Sequence, residues 1–578
     1  MLGAFFEIRR EYVDVSMIDI SFQSSYASGT MTKSAQEQIA NEITWKWGLR
    51  FDLAVARLLL AGENPDFVHG LSASTVVDRL FCWLGSRGVM EKLWSLKGNG
   101  IQRKGLPFGI YVMLYFLRCL ARIPSQNALP SLLFSDVGLM EKIGFNAPDL
   151  SCGMTRRGES KRAGARENLP LDPEAMSENI VKLGLEEVRT FFSDMLKMVW
   201  AGLPDVPSKL MVVVDGTFIE MGPTAKGAGV TTRTKQVRTR EGMKSVTETI
   251  IGFKMVWMWV PALGLPLAVA FTTAETDERE FVEGLLREAQ AVLGKRGHID
   301  TILVDRGYIA GPAMWALAKD GIRFVVPARH NMNIHDEAVQ AAKQDGAGLP
   351  VHRQSRTRTR TIRTKKGLKE VSRTMEVVGV EGCRTWETYA AKEDVDENGH
   401  RDRNKKDFEP NHLNAIVLTH DDEREECDFV LLTNGSVRRP FTVYDDYDER
   451  SRIENEGHRE MKQRWFLEHP VQRNAKAAEL HVLFVVLAYT LTQAFRLWEE
   501  EQLTEMGKER PTTLGRYIRK LEADNRDRVI VFIENQYGVY FASEVFLLLG
   551  RKVKHLHPRG AQTLEELMER LERTQSPV

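Results

Sequence analysis

Apolar positions recur at helical spacing from about Thr44 to Phe134, in FDLAVARLLLAG, TVVDRLFCWLG and GIYVMLYFLRCLARI, with Gly and Pro between the runs. This predicts a compact helical domain. It has room for a helix-turn-helix, although the pattern singles out no recognition helix. A further helical stretch, Ser177 to Leu203, leads to Pro204 and Pro207. The period then changes. LMVVVDGTFIEM (Leu210–Met221), ETIIGFKMVWMWVP and GLPLAVAFTT are strand-like runs rich in branched and aromatic residues. DEREFVEGLLREAQAVLG (Asp277–Gly294) reads as a helix with acids in its first turn. HIDTILVDRGY is a fourth strand, AGPAMWALAKDG a short helix and IRFVVPAR a fifth strand.

Three adjacent strands, then helix, strand, helix, strand, is the order of a ribonuclease-H-like α/β fold. Residues from about His330 to Thr433 interrupt it with basic sequence, a charged stretch around Lys392–Lys406 and the strands NAIVLTH and FVLLTN, a β-rich insertion. YDERSRIENEGHREMKQRWFLEH (Tyr447–His469) has no proline and one glycine and is predicted mostly helical; an apolar helix (Ala478–Trp498), a hairpin (VIVFIENQYGVYFAS) and a charged helix ending near Arg573 come after it. The fold class is therefore an α/β ribonuclease-H-like core with a β-rich insertion, a helical N-terminal domain and a small C-terminal region. The expected segments are 1–200 (helical, DNA-binding), 205–330 (core, first part), 331–435 (basic β-rich insertion), 436–500 (core, second part) and 501–578 (C-terminal region).

Composition narrows the class. Lys+Arg and Asp+Glu are both 79, so affinity for a polyanion has to come from local patches. Five separated cysteines without a CxxC pair argue against a zinc site or a disulfide framework. Charges in the first dozen residues are unlike a signal peptide, and the apolar runs near Ile110–Leu117 and Val482–Leu491 are short for a membrane span. The expected setting is cytoplasmic, in association with the nucleoid, with no membrane partner.

Asp215 ends a run of valines and Asp305 ends ILV, each with a glycine within two residues. Singly, each is ordinary turn chemistry. In the strand order above, however, the first and fourth strands are neighbours and their terminal carboxylates face each other. Crowded carboxylates call for a cation, and oxygen-only donors suit Mg²⁺ or Mn²⁺. On the Tyr447–His469 helix, Tyr447, Arg450, Glu454 and His458 share a stripe and Glu456 points away. That helix alone could equally be a solvated face laced with charge pairs. Glu454 as a third carboxylate completes a site for two metal ions, the equipment of phosphodiester chemistry. No Ser-His-Asp or Cys-His arrangement stands out, and Met255, Trp257, Met258 and Trp259 read as core.

VVVDGT, LVDRGY and the Y-x2-R-x3-E spacing of Tyr447, Arg450 and Glu454 resemble the DDE transposases of prokaryotic insertion sequences, in the cut-and-paste branch with a YREK-type signature and a β-rich insertion. The likeness runs from about Gly144 to Tyr489 and includes IGFNAPDL. It implies Asp215, Asp305 and Glu454 as catalytic metal ligands, with two Mg²⁺ (or Mn²⁺) per active site. It also implies contacts from Tyr447, Arg450 and Lys462 to DNA phosphates, with Arg306 and Tyr308 as further candidates. Double-stranded DNA (transposon ends and target) and a homodimer or larger synaptic complex are the implied partners. The usual six residues between glutamate and lysine are seven here, which on a regular helix turns Lys462 about 80° off the Glu454 stripe. Three explanations stay open: Lys462 reaches round, Glu456 is the ligand, or the lysine's role is lost. The alternatives at the level of function are a nuclease or repurposed transposase that cleaves without joining, and a non-catalytic DNA-binding regulator.

Basic segments fit a polyanionic partner. Arg353–Lys369 holds eight Lys/Arg and no acid, and RTRTRT puts Arg356, Arg358 and Arg360 on one strand face. Repulsion among eight like charges is relieved by a phosphate backbone, although a solvated charge run explains them too. The same two readings apply to Thr155–Arg166 and to Lys226–Lys244, expected as a basic loop after the first catalytic strand.

Overall fold

The computed structural model describes residues 52–65, 67–70, 80, 83–99, 107–134, 140, 143, 171–239, 242–343, 348–364, 367–389, 412–422, 428–505, 528–533, 536–551, 553, 556 and 560–574. The basic stretches Thr155–Arg166 and Arg516–Lys520, the segment around Lys392–Lys406, nearly all of IGFNAPDL, and Cys82, Cys152 and Cys427 lie outside them. Cys119 and Cys383 are free thiols in buried positions. The chain divides into two compact units, one of residues 1–195, 469–472 and 476–578, the other of 196–468 and 473–475.

The second unit is built on one mixed sheet of ten strands: β1 (Lys209–Glu220), β2 (Gly229–Thr239), β3 (Gly242–Val260), β4 (Leu265–Thr273), β5 (His298–Val304), β6 (Arg323–Pro327), β7 (Val351–Thr364), β8 (Gly367–Cys383), β9 (Leu413–Asp421) and β10 (Phe429–Thr433). The order is β2-β3-β1-β5-β6-β10-β9-β8-β7, with β4 also on β3. Helices α1 (Val282–Leu293), α2 (Gly311–Lys319), α3 (Asn333–Lys343) and α4 (Pro440–Asp448) accompany it. β1, β5 and β6 are parallel neighbours. Val212, Val213 and Val214 and Ile302, Leu303 and Val304 are fully buried, which is why these strands read as unbroken apolar runs.

One expectation changes. The basic segment Lys226–Lys244 is not a loop: β2 pairs with the N-terminal half of β3 in a long antiparallel ribbon. Alternating Thr and Arg favour an extended strand with one face in solvent. Gly252 marks where β3 passes from that ribbon to its pairing with β1 and β4. A Cβ there would lie 2.1 Å from the Ile219 carbonyl oxygen. The residues expected as a β-rich insertion extend the same sheet. They start with α3 and then add four strands, joined where β10 pairs antiparallel with β6.

The first unit holds the helices Asp52–Leu60, Val89–Ser95, Phe108–Leu120 and Pro173–Ile180 and a three-stranded sheet of Phe67–Gly70, Arg528–Ile533 and Gln536–Phe541. Most of Ala475–Glu505 belongs here as well. Tyr115 Oη is 2.9 Å from His481 Nδ1, and the Tyr115 ring packs on Phe484. The apolar stretch is longer than the sequence suggested. Ala475–Glu501 has the length and composition to cross a membrane, and in this structure it is a buried core helix. A helix apolar on all sides needs helical neighbours, and the Phe108–Leu120 helix supplies one.

Candidate functional site

Asp215 and Asp305 meet through strand register. β1 and β5 run parallel with Val214 opposite Val304, so the next residue of each strand is an aspartate, on neighbours ~4.8 Å apart. Asp215 is buried and accepts a hydrogen bond from Gly216 N–H (2.9 Å). Asp305 caps the short helical turn Arg306–Tyr308, accepting from Gly307 N–H at 2.6 Å. Burial pushes the Asp305 carboxyl above its ordinary range and the neighbouring Asp215 charge adds to this, while Gly307 N–H and Arg450 oppose it.

The third carboxylate arrives on an irregular segment. Tyr447–His469 is mostly helical, as expected, but not as one helix: α4 begins earlier, at Pro440, and ends at Asp448; next come a turn at 449–450, a π-helical turn over Ile453–His458, and a short α-helix over Arg459–Gln463. Asp446 anchors the end of α4 to the sheet through Arg323 (2.6 Å), whose Nε donates to Thr301 Oγ1. The π turn lies against β3. Gly457 is close enough to Trp257 that a Cβ would sit 2.7 Å from its ring, and the His458 ring packs on Trp257 at 5.6 Å.

These irregular elements nonetheless bring one group together. Arg450 reaches Glu454 (2.5 Å) and Asp215 (3.7 Å), and His458 Nε2 is 3.4 Å from Asp215. Tyr447 is half-buried; burial pushes its phenol up to about 12, with Arg450 opposing and Asp305 adding to the rise, so it stays a neutral donor. Arg306 is exposed beside it. Glu456 instead takes Arg452 (2.9 Å), which also holds Glu449 (2.8 Å). The π turn also removes the 80° argument, because a wide turn takes up one extra residue without rotating the helix beyond it. Lys462 is paired with Glu468 at 2.8 Å.

Three further expected DNA contacts have other partners. Tyr308 is buried and donates its hydroxyl to Glu278 (2.6 Å), so it has no surface for a phosphate. Arg356 forms two bonds to Asp445 (2.8 and 2.9 Å) and stacks on Phe441, tying β7 to α4. Arg358 is exposed, 3.7 Å from Asp445. Arg360 lies on β7, an edge strand. Sequence reasoning missed Glu278 and Lys254, which form an ion pair at 3.1 Å beside the aspartates. Glu278 looked like any acid in a helix's first turn, and Lys254 like a break in a strand.

The donor chemistry fits a divalent cation: three carboxylates, with Asp305 lifted by burial and by Asp215. Among the described residues, however, no three His, Cys, Asp or Glu side chains stand at metal-binding spacing. Arg450 lies between Asp215 and Glu454 instead.

No curated protein matches this chain. Among solved structures, one described as a piggyBac transposase synaptic complex with hairpin DNA aligns over 82% of this chain and 80% of its own, at 10% identity and a TM-score of 0.32, too distant to carry an argument. Residues 207–491, which contain Asp215, Asp305 and Glu454, match the family model described as the transposase DDE domain.

Proposed function

We propose that the protein is a DNA transposase that binds the terminal inverted repeats of its element, cleaves at the element ends and joins the freed 3′-OH ends to target DNA. One observation carries this reading. Within a matched transposase DDE domain, the adjoining ends of two parallel strands bear Asp215 and Asp305, and Arg450 links Asp215 to Glu454. Asp215, Asp305 and Glu454 would hold Mg²⁺ or Mn²⁺, two ions per site on a ribonuclease-H-like core of the prokaryotic insertion-sequence type. When bound, the ions activate the attacking oxygen and stabilise the leaving one.

The chain's own groups do the remaining work. Tyr447, Arg450 and exposed Arg306 offer donors to a phosphate, and Gly307 N–H and Gly216 N–H hold Asp305 and Asp215 respectively. In the first step a water oxygen attacks phosphorus and the P–O3′ bond breaks, leaving a 3′-hydroxyl and a 5′-phosphate. In the second, that hydroxyl attacks a target phosphodiester and displaces its 3′-oxygen. Synapsis of two ends requires a dimer or larger complex, acting on DNA in the cytoplasm.

A second reading, a DNA-binding regulator, draws on the absence of metal-spaced donors among the described residues. Purified protein with labelled end DNA and a target plasmid separates the possibilities. Strand transfer that needs Mg²⁺ or Mn²⁺, and that is abolished by Asp215→Ala or Asp305→Ala with end binding retained, is the expected result. Nicking without joining identifies a nuclease, and binding indifferent to metal identifies the regulator.

A further inference from the structure

Glu278 ties together the segments that carry the two aspartates. It opens the short helical turn Glu278–Phe281, capped by Asp277, whose Oδ1 accepts from Arg279 N–H at 3.0 Å. Its Oε2 accepts the Tyr308 hydroxyl at 2.6 Å, and its Oε1 faces Lys254 Nζ at 3.1 Å. Lys254 is itself buried, donates to the Thr276 carbonyl (3.0 Å) and lies 5.0 Å from the Phe218 ring centroid. The carboxyl rests on the backbone just after Asp215: a Cβ on Gly216 would lie 2.4 Å from Glu278 Cδ. One side chain therefore touches the turn beyond Asp305, the strand paired with β1, and the residue next to Asp215.

We propose that Glu278 is a positioning residue for the aspartate pair: held by Lys254, it anchors the Tyr308 hydroxyl and so fixes the Asp305–Tyr308 turn against Asp215. Both of its oxygens are engaged, so it acts through Asp305 and not as a further ligand. An acid this close to two others is costly without the Lys254 counter-charge, and a brace needed only for stability would be made more cheaply from apolar groups. Outer partners that orient ligands typically change metal affinity by about 10–100-fold when removed.

The inference rests on the metal-dependent reading above, and the test keeps the two apart. Mn²⁺ is titrated calorimetrically into the full-length wild type, Asp215→Asn, Tyr308→Phe, Glu278→Gln and the Tyr308→Phe/Glu278→Gln double variant, with DNA-end affinity measured alongside. Binding by the wild type that is lost in Asp215→Asn supports the site itself. Tyr308→Phe and Glu278→Gln are then each expected to weaken Mn²⁺ about tenfold with end binding unchanged. The double variant should fall short of the sum of the two single effects, because Tyr308→Phe deletes the donor of the contact whose charged acceptor Glu278→Gln weakens to an amide oxygen. Wild-type Mn²⁺ affinity in Tyr308→Phe, which deletes one oxygen and serves even where Glu278→Gln fails to fold, overturns the inference alone, as does an additive double. Absence of Mn²⁺ binding by the wild type overturns the reading beneath it as well.

Discussion

Arg450 presents the sharpest conflict at the scale of single residues. Its largely buried guanidinium holds Glu454 at 2.5 Å and approaches Asp215 at 3.7 Å, the carboxylates a divalent cation would need. A guanidinium and a divalent cation compete for the same carboxylate charge. Arg450→Gln should therefore tighten Mn²⁺ binding in the absence of DNA, by roughly fivefold if the relieved competition is worth ~1 kcal/mol. Calorimetry that shows weaker binding would mean Arg450 supports the site instead. The two glutamates separate in the same way. Glu454→Gln is expected to abolish cleavage, whereas Glu456→Gln, which disturbs only the Arg452 cluster, should cleave within about twofold of wild type, as expected for a surface change; an inactive Glu456→Gln with an active Glu454→Gln reverses the assignment. Asp305 gives a pH test. Its folded carboxyl is raised by burial and by Asp215, so its ionised form disfavours the fold above that range and the penalty fades as pH falls through it. In metal-free protein Asp305→Asn should raise Tm at neutral pH, and the gain should shrink on acidification. A gain that grows toward acid pH would show the opposite shift.

At the scale of elements, the sequence was most legible where periodicity maps directly onto burial. VVVD and ILVD announced central strands because both faces of β1 and β5 are covered, and their register then set Asp215 beside Asp305. The segment after α4 was the least legible. Helical composition predicted a mostly helical stretch, but composition does not encode where a turn widens. Gly457 against Trp257 and buried Ile453 and His458 pin the chain on both sides of Glu454, and the surplus residue is taken up between them. Asn455 is exposed, and its side chain reaches only back to the Ser451 carbonyl (3.1 Å). Deleting Asn455 should convert the π turn to plain α-helix and leave Met461 and Trp465 in the core, with Tm nearly unchanged. If the turn is not the reservoir, deletion rotates everything after it by about 100°. Met461 would then leave the core, at a cost of about 2–5 kcal/mol read directly by denaturant unfolding.

For the whole molecule, pattern names an element but not its partner. The C-terminal hairpin and final helix were legible as local structures, yet nothing in their spacing says that they complete a core begun more than four hundred residues earlier. In the structure Leu53, Val55, Ala56 and Leu59 share one apolar cluster with Val529, Val531, Tyr540, Leu548, Leu567 and Leu571, and Asp52 accepts from Val539 N–H at 3.1 Å. At its edge Glu544 is fully buried, accepting from Arg570 (2.7 and 2.9 Å) and from the backbone N–H groups of Phe541 (2.9 Å) and Ala561 (2.7 Å). Glu544→Ala removes the acceptor for all of these donors at once and should cost about 3–5 kcal/mol. Glu544→Gln, which keeps one carbonyl oxygen, should cost less. Because a shared core opens as one cooperative unit, the loss has to reach both ends of the chain. Hydrogen exchange in Glu544→Ala should accelerate together at Val55 and Leu59 and at Val531 and Val539. Protection that persists over Asp52–Leu60 while the hairpin exchanges freely would mean that the two ends fold separately.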